Sequence, residues 1–96
     1  MVDRTKPAVV DVSDNETVVS TVRSFLYGVY VNTALSAHAL PIKDGTGGTT
    51  LVTIPASAAA GSHYPIPGIE FASGIAVDPD DVATGNVTVA WNREGA

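Results

Sequence analysis

Along most of the chain, β-branched and aromatic residues recur at every second position, the period of a half-buried strand rather than of a helix. "TVVSTVRS" (17–24) and "FLYGVYVN" (25–32) stand almost end to end. In the second, strict alternation predicts Phe25, Tyr27, Val29 and Val31 on one face, with Leu26, Gly28, Tyr30 and Asn32 on the other. Both faces carry aromatic rings, so one is expected to meet the core and the other a neighbouring subunit. Gly28 removes a side chain in mid-strand, which predicts a bulge or a close backbone approach.

The next apolar run, "HALPIKD" (38–44), places Leu40 and Ile42 on a shared face. Pro41 has no amide hydrogen to give a ladder, which predicts an edge strand or a bulge there. The Gly-rich "GTGG" then leads to "TTLVTIP" (49–55), the length of a longer hairpin connection rather than a two-residue turn. "ASAAAGS" (56–62) alone has helical composition, and it is too short for more than one turn. "HYPIPG" carries two prolines and predicts an extended crossing. "IEFAS" (69–73), "GIAVD" (74–78) and "NVTVAWN" (86–92) complete the set, the last with Val87, Val89 and Trp91 on one face.

Short strands at this spacing predict an all-β fold: a single antiparallel β-sandwich or jelly roll of seven to eight short strands. The first 15 residues mix charges, Pro7 and the short run "AVVDV". They read as an extended N-terminal arm (1–15) before a sandwich domain (16–96), able to pair with another chain or to supply the first strand of its own sheet.

Composition narrows the partners. At 96 residues the chain holds one modest core. Hydrophobic residues make up 45% and charged residues only 16%, against a usual charged share of about 25%. A surface so poor in charge either displays Thr, Ser and Asn or is partly hidden against other proteins. The net charge is −5, and the five basic residues, Arg4, Lys6, Arg23, Lys43 and Arg93, are scattered. Nucleic acid is therefore not an expected partner. With no cysteine there is neither a disulfide framework nor a thiolate metal site. No run approaches the roughly 18 apolar residues of a membrane helix, so no membrane partner is expected. The N-terminus lacks the charged-then-apolar layout of a secretory signal. The sequons at Asn15 and Asn86 are accordingly read as chance, and synthesis in a cytoplasm is expected.

Groups capable of chemistry are few. His38 and His63 sit beside Ala or Ser, with no acid nearby in sequence to orient a general base. Ser62-His63 lacks a nucleophile elbow around it. Asp78, Asp80 and Asp81 gather in "VDPDD", but without the spacing of a calcium loop, and Asp-Pro-Asp-Asp is ordinary turn chemistry. "GTGG" (45–48) lacks the Lys and the helix of a phosphate loop. No catalytic, cofactor-binding or metal-ligating residue is assigned, and no enzymatic activity or cofactor is expected. Tyr27, Tyr30, Tyr64 and Trp91 remain, as a sugar-stacking surface, as interface anchors or as core.

Four segments in order, "LYGVYVNT", "IKDGTGGTTLVTIPA", "YPIPGIEFASGIAV" and "ATGNVTVAW", resemble small structural proteins of tailed bacteriophages. The matching positions are Ile42, Asp44, Gly45, Thr49, Ile54, Pro55 and Ala56, then Gly74, Ile75 and Val77, then Thr84 to Val89. The resemblance spans roughly residues 25–92 and leaves the N-terminal arm outside it. It implies a virion component: a head decoration (cement) protein on the capsid surface, bound to the major capsid protein and commonly trimeric. A tail or vertex accessory protein is the near variant. A small carbohydrate-binding sandwich, stacking a sugar on Trp91 or Tyr64, is the alternative from the residues alone.

Overall fold

The computed structural model describes residues 6–13 and 15–93. Eight strands run in chain order: β1 (Lys6–Asp11), β2 (Thr17–Ser20), β3 (Ser24–Thr33), β4 (Leu40–Asp44), β5 (Thr50–Ile54), β6 (His63–Phe71), β7 (Ile75–Val77) and β8 (Asn86–Arg93). They form two four-stranded sheets, β1-β8-β3-β6 (sheet A) and β2-β7-β4-β5 (sheet B), and every pairing is antiparallel. No described residue is helical, and no helix is long and apolar enough to cross a membrane.

The pairs β1–β8, β2–β7, β3–β6 and β4–β5 are the rungs of one long antiparallel ribbon, with the β4–β5 hairpin at its tip. Rolling that ribbon adds the pairs β3–β8 and β4–β7 and yields the strand order of a jelly roll. The chain changes sheet at every connection except the hairpin. Leu26, Val29, Val31, Phe71, Val87 and Val89 of sheet A face Leu40, Ile42, Ile54, Ile75 and Val77 of sheet B, all buried. Each such side chain contributes about 1.5–3 kcal/mol by leaving water. Val87, Val89 and Trp91 share the inward face, as the alternation predicts, with Trp91 only partly buried.

Four connections close one end of the sandwich. There Val12 N donates to Gly85 O at 2.9 Å, Leu35 N to Ala58 O at 2.9 Å, and Thr84 N to Ser36 Oγ at 3.0 Å. The other end is a polar corner where Ser20 and Ser24, both buried, share a 2.7 Å hydrogen bond across the step from sheet B to sheet A. The hairpin is fastened to that corner. Ser73 N donates to Asp44 Oδ1 at 2.7 Å, and Gly45 N to Gly74 O at 3.0 Å.

Several expectations shift. The predicted bulge at Gly28 exists, between Leu26 and Gly28 against both neighbours. It resets the alternation, so Leu26, Val29 and Val31 point inward while Phe25, Tyr27 and Tyr30 point outward. Pro41 is not on an edge, because β4 lies between β7 and β5. Its carbonyl accepts from Asp78 N, one residue beyond the end of β7, and its nitrogen faces Asp78 too, so the pair keeps one of its two bonds just past the strand's end, next to the irregularity between Ile42 and Lys43. "HYPIPG" is no crossing but the first part of β6, whose prolines are tolerated on the edge of sheet A. Of the two alternatives for the N-terminal stretch, residues 6–11 take the intramolecular one and pair with β8, while residues 1–5 and 14 lie outside the described residues.

Candidate interaction surface

On the outer face of sheet A the register aligns two rows across all four strands. One runs Val9–Thr88–Tyr30–His63, the other Pro7–Ala90–Gly28–Pro65. Neither row contains Asp, Glu, Lys or Arg. The charges stand at the ends: Asp11 opposite Asn86 at one, and the Arg23–Glu70 ion pair at the other. Val9 is 68% exposed and Tyr30 44%, so the stripe is apolar surface in contact with solvent.

The rings on this face are held by glycine. Tyr30 and His63 stack with centroids 4.1 Å apart and planes within 3°. A side chain at Gly28 would stand 3.2 Å from His63 Nε2, so the bare backbone leaves room for the imidazole. Tyr27 lies over Gly68, whose φ of +77° favours glycine. Beside the stack, Asn32 Nδ2 donates to Asn86 Oδ1 and to Thr88 Oγ1, each at 2.8 Å. The bond to Thr88 ties the polar cluster to the row that carries Tyr30.

The other aromatic candidates lie elsewhere: Tyr64 and Trp91 are partly buried and packed against the core. The acidic loop is divided among separate tasks. Asp78 Oδ2 takes the Lys43 ammonium at 2.6 Å, Asp80 Oδ1 accepts from Val82 N at 3.1 Å in a turn, and His38 Nδ1 lies 4.0 Å from Asp80 Oδ2. The hydrogen bond to Asp78, reinforced by the charges of Asp78 and Glu16, raises Lys43 above its ordinary value of 10.5. Among the described residues, no three His, Asp or Glu side chains gather as a metal site, and no pocket is present. "GTGG" is the hairpin turn, closed by Gly48 N donating to Gly45 O at 3.0 Å.

Sequence reasoning missed the Tyr30–His63 and His38–Asp80 pairs because each joins residues more than thirty positions apart. The one available signal was Gly28, which marks where a neighbouring strand's ring comes close. Compared with known proteins, the chain matches no family model, no curated protein and no solved structure.

Proposed function

We propose that the chain is a structural interaction protein of a tailed-phage virion, a decoration protein that binds the assembled head and stabilises it. The observation that carries this reading is the uncharged stripe across sheet A, which exposes Val9 and Tyr30 between charged ends. A face depleted of charge at its centre and anchored by an aromatic ring is the composition of a protein interface. Jelly rolls are also a recurrent architecture of capsid and lectin domains, a fold-level analogy that fits the phage resemblance of residues 25–92. A protein that binds only the assembled head shifts the equilibrium towards it, and many copies multiply a modest contact. The partner on this reading is the major capsid protein and the location the capsid surface, with a tail or vertex site as the near variant.

The test is co-sedimentation with heads built from the cognate major capsid protein. Wild type pellets with heads. Val9→Asp and Tyr30→Ala, both on exposed positions, keep the melting temperature but weaken binding by about 5- to 30-fold, the loss of one interface anchor. Absence of pelleting, or full binding by both variants, refutes the proposal.

The Tyr30–His63 stack beside Asn32, Asn86 and Thr88 favours one second reading, a carbohydrate platform on the same face. It predicts saturable shifts of the His63 ring protons on titration with oligosaccharides. Unchanged shifts across a panel of glycans dismiss it.

A further inference from the structure

Each sheet has two edge strands, and an edge invites another strand unless something blunts it. Three of the four are blunted. β1 opens with Lys6-Pro7, β2 is four residues long with a register shift between Val18 and Ser20, and β6 carries Pro65 and Pro67 around a second shift. β5 has neither charge nor proline within Thr50–Ile54, and four of its five residues are β-branched. Its own irregularity falls at Leu51, near its start, leaving Val52–Ile54 in regular register with β4.

The backbone at Thr53 points outward. Thr53 lies opposite Pro41, and Pro41 directs its carbonyl the other way, towards Asp78. The ladder alternates, so Ile42–Val52 and Leu40–Ile54 are the pairs that exchange hydrogen bonds, and the Thr53 N–H and C=O face away from β4.

We infer that β5 is a dimerisation edge, and that its occupant is β5 of a second copy of this chain, antiparallel about a two-fold axis at Thr53. In that register Thr53 N–H donates to the carbonyl of Thr53 of the partner subunit, and the Thr53 carbonyl accepts the reciprocal bond. Val52 lies opposite Ile54 of the partner subunit, and both side chains are on the inner faces, so the two cores join across the seam. A two-fold contact brings each residue against its own copy or a symmetric mate, so a strand without charge sets no like charges opposite each other across the axis. β5 supplies one, and a foreign strand would need no such self-complementarity. The pairing stands independently of head binding, and failure of either leaves the other untouched.

The test is solution mass by sedimentation velocity, from low micromolar to several hundred micromolar, with hydrogen exchange at the Thr53 amide. Wild type reaches twice 9.8 kDa, and its Thr53 amide exchanges at least about tenfold more slowly at the high concentration than at the low. Thr53→Pro removes the outward N–H and runs as a monomer. Should that variant fail to fold, Thr53→Glu places two carboxylates across the axis on an exposed position and dissociates the dimer at low salt. A wild type that stays monomeric overturns the inference. So does a trimer, which would be closed by another surface, and so does a dimer that survives both substitutions.

Discussion

Gly74→Ala tests the corner that joins the sheets. Gly74 precedes β7 with φ +113°, outside the regions open to residues with a side chain. Holding alanine there costs about 1–3 kcal/mol. The added methyl would also fall inside contact distance of the Ser20 carbonyl oxygen, 2.9 Å from its carbon and 3.1 Å from Thr21 Cα. These are backbone atoms at the end of β2, and Ser20 is tied to Ser24 at 2.7 Å, so relief requires moving the step between sheets. Forced repacking of that kind costs about a further 1–3 kcal/mol. The sum, about 2–6 kcal/mol, stands against a total stability of about 5–14 kcal/mol for 96 residues. The melting temperature should fall by about 10 °C or more.

Gly47→Ala is the matched control. Its φ is +70° and a methyl there meets nothing within 4 Å, so it carries backbone strain alone, about 1 kcal/mol. Urea melts of both variants give the excess loss at Gly74, the clash together with its less favourable φ. Equal losses would refute the claim that Gly74 is required by the approach of Ser20.

Two further outcomes can be checked with the same melts. Val10→Ala should cost about 2 kcal/mol, because Val10 is buried opposite Val87 and not part of a free arm; a neutral result would mean β1 contributes little. Lys43 binds its proton more tightly in the folded state, so the Lys43–Asp78 pair contributes fully below 10.5 and fades as pH rises through the folded value. Wild type should therefore lose stability in strongly alkaline solution by a component that Lys43→Met lacks; parallel pH profiles would contradict this.

The all-β class, the hairpin and the inward face of β8 were legible because each depends on neighbours in sequence. Asp44-Gly45 and the alternation of Val87, Val89 and Trp91 carry their own signal. Failures came where a distant partner decides. Gly28 announced a bulge, but its effect on the faces of Tyr27 and Val29 depends on where β6 and β8 skip a residue. Pro41 read as an edge or bulge residue because its missing donor is local, whereas its place inside sheet B, beside the irregularity between Ile42 and Lys43, is set by β5 and β7. The stripe across sheet A was invisible for the same reason: its rows draw one residue from each of four separated strands.

The rolled ribbon also orders events during synthesis. β8 is the last of the described strands, yet it lies inside sheet A as the one described partner of β1 and the second partner of β3. All four strands of sheet B are complete once Val77 has been added. On an emerging chain, sheet B therefore has its full membership while β1 waits and one side of β3 stands open. That open side is a nascent-chain hazard that only the last described strand removes. Addition of β8 is thus the step that completes sheet A, and a chain ending before Asn86 would leave β1 without its described partner.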